Sequence, residues 1–379
     1  MVTEPATAAN ARCDEIMLRG CVNLFLMGRS PPCPLSVCRK PRYRRVPMHA
    51  HGPCAFALLL VTALPACRSE NPPPPASSTA PAPGDGEILD AHVHLTDMEA
   101  VPALLGLLDR KGVKRAVVLA TPDATAGRGG KGLEGYQRGN EVVLAAAAAH
   151  PARLIPFVTL DLAHDRPETL DALLARGACG VKLYDGHHAF HERPLDDPSH
   201  RPLFARMEER GVPVLVHVNT VRFRAELAGV LGAFPKLRAV CPHLCGSRTD
   251  LDRFEAIRDA FPSLLFDTSH GSSDAAAQGF TYLEKERDRL RKILERTPER
   301  FLFGSDLVTV RAGPTWQEEW DMQVNANLGL LREETFTFWR PNPQGGLSPG
   351  PYRGQALPAG LLQKILGDNA RRWLGNCVR

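Results

Sequence analysis

The chain has 379 residues, 44% of them apolar and 23% charged, an ordinary globular balance with room for one large domain or two modest ones. Its formal net charge of +4 is unevenly placed: residues 1–66 carry eight Lys and Arg against three acids, and the remainder carries 38 against 39. With the basic excess confined to the N-terminal segment and no basic stripe interleaved with aromatics, nucleic-acid binding finds no support.

The N-terminal segment has the marks of an export signal. Ala55 to Leu64 is an apolar run of ten residues, too short for a bilayer, which needs about 20, and suited to a signal-peptide core. It ends at Leu64-Pro65-Ala66-Cys67, which resembles a lipobox, so Cys67 is expected to be lipidated and to become the mature N-terminus. Asn71-Pro72-Pro73-Pro74-Pro75 and the Ser, Ala and Pro residues up to Gly86 cannot form helix or sheet and read as an extended tether. The expected organisation is a leader over 1–66, a Pro-rich linker over 67–86 and one domain over 87–379. Residues 1–47, upstream of Met48, read as a long leader or a misplaced start. The expected location is a bacterial membrane, facing the periplasm or cell surface, with membrane contact only through the lipid on Cys67.

From Glu87 onward, short β-branched runs alternate with amphipathic segments, the pattern of βα units. The expected strands are Ile88–His94, Arg115–Ala120, Leu154–Leu160, Gly180–Tyr184, Val212–Val218, Leu237–Pro242, Leu264–Thr268 and Arg300–Asp306. Helical core stripes lie between them: Leu170, Leu173, Leu174; Leu251, Phe254, Ile257, Phe261; and Leu283, Leu290, Ile293, Leu294. Gly112, Gly177 and Gly211 fall where helices should end in a left-handed residue. Eight strands with intervening helices fit a single α/β domain, a (β/α)8 TIM barrel. A doubly wound sheet is the main competitor, weakened by the lack of G-x-G-x-x-G after the first strand.

The polar residues collect at strand ends. His92 and His94 end strand one, Lys182 lies in strand four, His217 near the end of strand five, His243 just past strand six, and Asp306 at the end of strand eight. In a parallel barrel these ends open on one face, where barrel enzymes place their chemistry. His-x-His on a strand puts both imidazoles on one side, because the strand period is two. Two such imidazoles can bind one divalent ion, with His217 and Asp306 able to complete the set; zinc wants three or four N/O ligands and an open position for water. His243 and Asp306 are the candidates for acid–base work on that water. His187, in the Asp185–His191 loop after strand four, overhangs the mouth and is a candidate substrate contact. Asp267, Thr268, Ser269 and His270 end strand seven, with lining and structural roles equally open. Asn140 reads as a helix N-cap, Gly127–Gly135 as a flexible lid, and residues 311–356 as an insertion over part of the mouth. Cys241 and Cys245 read as small packing residues; a disulfide is compatible with an oxidising compartment, but no pairing is assigned.

Taken together, Asp90-Ala91-His92-Val93-His94, Val181-Lys182-Leu183-Tyr184, Val216-His217, Pro242-His243-Leu244-Cys245-Gly246 and Phe303-Gly304-Ser305-Asp306 resemble the ordered strand motifs of the amidohydrolase superfamily. Gly367-Asp368-Asn369-Ala370-Arg371-Arg372-Trp373-Leu374-Gly375 resembles the closing helix of its amidohydrolase-related ("amidohydrolase 2") branch. The resemblance runs from about residue 87 to 375 and implies a metal-dependent hydrolase. It places His92, His94, His217 and Asp306 at metal-ligand positions, one zinc-like ion as cofactor, and His243 beside it as a catalytic group. Lys182 matches a strand-four lysine that is carboxylated in some members; here it is expected to stay unmodified and either to stand behind the ligands or to face the substrate. Some relatives hydrolyse lactones without a metal.

Three functions compete. The leading one is hydrolysis of a small-molecule amide, lactone or ester by metal-activated water. The second is non-oxidative decarboxylation at the same site, which pocket arginines such as Arg222 or Arg311 would favour. The third is a non-catalytic lipoprotein that binds a metal or ligand. A homo-oligomer is compatible with all three.

Overall fold

Strand one, β1 (Ile88–Leu95), is buried along its whole length, as a strand covered on both faces must be. It is followed in chain order by α1 (Val101–Arg110), β2 (Val113–Ala120), α2 (Tyr136–Ala149), β3 (Leu154–Thr159), α3 (Pro167–Ala175) and β4 (Gly180–Gly186). Then come α4 (Arg201–Glu209), β5 (Pro213–Val218), α5 (Arg224–Ala233), β6 (Arg238–Cys241), α6 (Leu251–Ala260) and β7 (Leu265–Asp267). The order ends with α7 (Ser273–Lys285), α8 (Arg287–Arg296), β8 (Phe301–Leu302), β9 (Leu307–Val308), α9 (Trp316–Arg332), the hairpin β10 (Thr335–Pro341) and β11 (Leu347–Arg353), and a closing helix α10 (Asn369–Leu374). This computed structural model describes residues 86–378; the expected leader over 1–66, the lipid-acceptor Cys67 and the tether up to residue 85 lie outside the described residues.

Neighbouring strands pair in parallel from β1 through β8, and β9 pairs in parallel with the far side of β1. The two short strands β8 and β9 are halves of the eighth barrel position. Between them the Ala91 amide donates to the Phe303 carbonyl at 2.9 Å, and beyond them the Thr309 amide donates to the His94 carbonyl at 3.0 Å, which closes the sheet. The expected single strand over Arg300–Asp306 is therefore interrupted: Asp306 takes φ of 53°, a left-handed conformation that cannot continue a ladder.

Strand alternation sorts the core. Leu89, Val117, Leu119, Phe157, Leu215, Val240 and Leu302 point inward and form one cluster with Trp373 and Leu374 of α10, which plug the N-terminal end of the barrel. Val118, Val158, Val181, Val214, Val216, Phe266 and Phe301 point outward, into the layer filled by Leu104, Leu107, Leu170, Phe204, Leu227, Phe254 and Leu290 of the surrounding helices. The chain leaves α1, α3 and α4 through Gly112, Gly177 and Gly211, all with positive φ as expected.

Two further sequence expectations are corrected, at Asn140 and at Cys241 and Cys245. Asn140 is not an N-cap: it lies inside α2, where its side chain donates to the Thr159 carbonyl at 2.9 Å and accepts from the Thr159 amide at 2.7 Å, fastening α2 to β3. Residues 311–356, expected as an insertion after strand eight, are largely α9 and a hairpin whose Phe336, Phe338 and Tyr352 pack on Phe280 of α7. Residues 123–135 form turns tied by Arg128, which donates to Asp123 and to the Thr96 carbonyl. Cys241 and Cys245 are not independent packing residues; they form a disulfide.

Candidate metal centre at the barrel mouth

The inward faces of the strands change character at their C-terminal ends. Above Leu215 in β5 stands His217, two residues on; above Gly180 in β4 stand Lys182 and Tyr184; above Leu265 in β7 stands Asp267. Strand β1 needs one further device. Leu89 and Ala91 face inward, so strict alternation would turn His92 outward. The register of β1 against β2 shifts between Asp90 and Val93, and this irregularity re-aims the strand so that both His92 and His94 face the interior. The Asp90 carboxylate holds the distorted backbone by accepting from the His92 amide and the Ser305 amide, each at 3.0 Å.

The imidazoles meet Asp306. His92 Nε2 lies 3.0 Å and His94 Nε2 3.3 Å from Asp306 Oδ1, the two nitrogens are 3.1 Å apart, and His243 Nε2 lies 3.8 Å from Asp306 Oδ2. Ligand atoms of His92, His243 and Asp306 all fall within 4.8 Å of one another.

The hydrogen bonds behind the rings fix their tautomers. His92 Nδ1 meets the Asp267 carboxylate at 2.7 Å, so Nδ1 carries the proton. His94 Nδ1 meets Tyr184 Oη at 2.9 Å, and that hydroxyl spends its one proton on the Ala120 carbonyl at 3.0 Å, so His94 Nδ1 donates as well. His243 Nδ1 faces Ser269 Oγ at 2.9 Å and the Ser269 carbonyl at 3.2 Å; the Ser269 hydroxyl donates to Asp267 at 2.6 Å, which again leaves Nδ1 as donor. In their neutral forms all three rings therefore turn an unprotonated Nε2 toward a carboxylate that can only accept. Acceptors gathered this closely repel unless a cation stands among them. Burial opposes a positive His92, yet Asp306 and Asp267 outweigh it and raise that imidazole above its ordinary value, so without an ion its Nε2 can carry a proton toward Asp306. Burial lowers His94 and His243 to about 4, leaving both neutral and able to ligate. Burial would raise Asp306, but the neighbouring His92 and His243 rings hold it well below the usual carboxylate range.

The surroundings are strained and close. Among the described residues, five non-glycines have positive φ, and four of them, His243, Leu244, Cys245 and Asp306, are here. Each left-handed residue costs about 1–2 kcal/mol, so the neighbours must impose it. Gln323 of α9 donates to the Asp306 carbonyl at 2.7 Å, and Asn327 to the Ser305 carbonyl at 3.2 Å. Gly271 lets Asp306 approach, since a Cβ there would sit 2.5 Å from Asp306 Oδ2.

The other expected residues also reach the mouth. His217 packs 5.1 Å from His243 and 4.8 Å from His187, ring to ring, and burial pushes His217 well below its ordinary value. Lys182 is fully buried, its Nζ has no hydrogen-bond partner among the described residues, and burial lowers it to about 8. Arg311, in contrast, is drawn outside by Asp97 and Glu99, and Arg222 is exposed. Arg248 escaped sequence reading, and Asp267 was legible only as one of four residues ending strand seven, with lining and structural roles equally open. Asp267 touches both His92 and the His243 amide (2.8 Å), a role invisible without the fold that brings strands one and seven together. Arg248, whose charge faces Asp306 and Asp267, donates to the His270 carbonyl at 2.7 Å; its only sequence signal was its place five residues after His243.

The sequence profile of a family described as amidohydrolase matches residues 89–375. No curated protein matches the chain. Among solved structures, a protein from Acinetobacter baumannii designated a probable 2-pyrone-4,6-dicarboxylic acid hydrolase, with citric acid bound, is similar at 13% identity, with 76% of this chain and 100% of that chain covered and a TM-score of 0.51. A protein of the same provisional designation from Pseudomonas putida is similar at 18% identity over 76% of this chain and 97% of that chain, with a TM-score of 0.50. At these identities the likeness is one of fold.

Proposed function

Because the chain belongs to the amidohydrolase family over residues 89–375, we propose that it is a hydrolase that uses water activated by one divalent ion, zinc by its donor set, on a C–N or C–O bond of a small amide, lactone or ester. The observation that carries this reading is the convergence of the Nε2 atoms of His92 and His94 on Asp306 Oδ1. Imidazole nitrogens with one carboxylate suit zinc.

His92, His94 and Asp306 would hold the ion, with His217 as the further nitrogen ligand from β5. A bound divalent ion would bring the pKa of its water toward about 7 and polarise the scissile carbonyl. Asp306 divides its oxygens: Oδ1 faces His92 and His94, and Oδ2 faces His243. That division lets Asp306 and His243 pass a proton from the attacking water to the leaving group. Asp267 keeps His92 in the ligating tautomer, as carboxylates behind metal-bound histidines do. Lys182 and His187 would contact the substrate, and Lys182 Nζ, with no hydrogen-bond acceptor among the described residues, is suited to a substrate oxygen.

Arg248 gives a second reading a foothold. A guanidinium facing the same carboxylates would bind a carboxylate-bearing substrate, which keeps non-oxidative decarboxylation at this site open. A panel of lactones, amides and aromatic acids, run on the zinc-loaded protein, separates the two. Hydrolysis products support the first reading; carbon dioxide release without water addition replaces it with the second. Turnover of nothing in the panel by metal-loaded protein leaves a binding protein. Lipid attachment at Cys67 and export to a bacterial membrane belong to the same proposal, and are tested by mass analysis of the mature N-terminus.

A further inference from the structure

Strand β6 ends at Cys241, and the chain then turns the wrong way for L-residues. His243, Leu244 and Cys245 take φ of 59°, 51° and 55°, and Gly246 follows at 65°. A run of three left-handed non-glycine residues does not hold itself in this shape. Its ends are joined: Cys241 and Cys245 form a disulfide with their Cα atoms 4.7 Å apart, and neither residue is exposed. The ring that this bond closes contains His243. Hydrogen bonds brace the same turn from outside, from Thr220 to the Cys245 carbonyl at 2.6 Å and from Arg253 to the Gly246 carbonyl at 3.0 Å. None of these grips the chain on both sides of His243, and the disulfide does.

We propose that Cys241 and Cys245 are positioning residues, whose disulfide locks the left-handed turn and so fixes the imidazole of His243 against Asp306. The functional half of this statement rests on the acid–base role given to His243 above; the conformational half does not. Forming the bond removes two protons and two electrons from the two thiols. Thiol–disulfide exchange with an acceptor disulfide supplies the balance: that disulfide is cleaved, and its two sulfurs leave as thiols. Both sulfurs are buried, so reductants do not reach them in the folded chain, and the bond is a permanent brace rather than a switch. It also requires maturation in an oxidising compartment.

The test begins with the full wild-type chain. Trypsin cuts after Arg238 and Arg248, so one peptide, Ala239–Arg248, carries both cysteines. We expect it to be lighter by two hydrogen atoms and to take up two alkyl groups only after phosphine reduction; free thiols in that peptide would overturn the proposal. Hydrogen exchange is then compared in the wild type and the Cys241→Ala/Cys245→Ala variant. We expect faster exchange at the amides of residues 243–247 in the variant, with bound metal unchanged. For whichever substrate is turned over, kcat should fall by on the order of a hundredfold with KM nearly unchanged. Equal exchange and equal kcat would overturn the positioning role. If no substrate is found, the peptide mass and the exchange still decide the conformational claim, so failure of the hydrolase reading is told apart from failure of the brace.

Discussion

The two ends of this barrel obey opposite rules. The N-terminal end is a packed plug: Leu89, Phe157, Leu215, Val240 and Leu302 close on Trp373 and Leu374, whose helix is tied down by Arg238 donating to the Trp373 carbonyl and by the Trp373 indole donating to the Arg238 carbonyl at 2.9 Å. The C-terminal end, on the same strands a few residues later, has left-handed residues, a strand irregularity, a buried lysine with no hydrogen-bond partner among the described residues and imidazoles crowded on one carboxylate. Every inward side chain at the plug gains free energy by burial. The mouth gives up stability to hold polar groups in place. Substitutions should therefore divide cleanly, those at the plug changing stability and those at the mouth changing chemistry.

The largest effect should come from Asp306→Asn, which keeps a side chain tolerant of the left-handed backbone but removes the charge. Turnover should fall on the order of ten-thousandfold while the thermal melt stays cooperative and close to wild type; a collapse of the fold would show that the mouth is structural after all. Next, Trp373→Ala at the plug should cost about 3–5 kcal/mol in chemical denaturation, with kcat per folded molecule unchanged. A loss of kcat there would break the division between the two ends. Asp267→Asn should weaken metal affinity about 10–100-fold, read by competition with a chelating dye, because His92 loses the carboxylate that fixes its tautomer.

The smallest and most diagnostic effect concerns Lys182. Its amine is depressed to about 8 from an ordinary 10.5. Between those values the unfolded chain binds the proton that the folded chain has released, so stability should rise with pH across that window and lose that contribution below it. Lys182→Met should abolish this slope in the metal-free protein and raise stability by about 1–3 kcal/mol while lowering turnover. An unchanged slope would show that Lys182 finds a partner in solution.

The plug and the strands were legible in sequence because period-two alternation and β-branched runs are local signals. Seven of the eight expected strands stand within a few residues of their places. The eighth was not, because the left-handed Asp306 that splits it is set by Gln323 and Asn327 of a later helix, not by its neighbours in sequence. Asn140 misled for a related reason: an amide before a helical run can cap it or, as here, bond to the next strand from inside the helix, and only packing decides. The mouth was legible in its residues, since His92, His94, Lys182, His217, His243 and Asp306 all recur at strand ends. Arg248 was not, and Asp267 only as one of four residues ending strand seven, because each matters through what tertiary closure puts beside it.

The central claim is that closure of the barrel gathers His92, His94 and Asp306 around one cation. Elemental analysis of the purified chain, alongside its His92→Ala variant, tests it most directly. The account predicts one divalent ion per wild-type chain and close to none in the variant. Metal-free wild-type protein that hydrolyses its substrate in the presence of a strong chelator would contradict it.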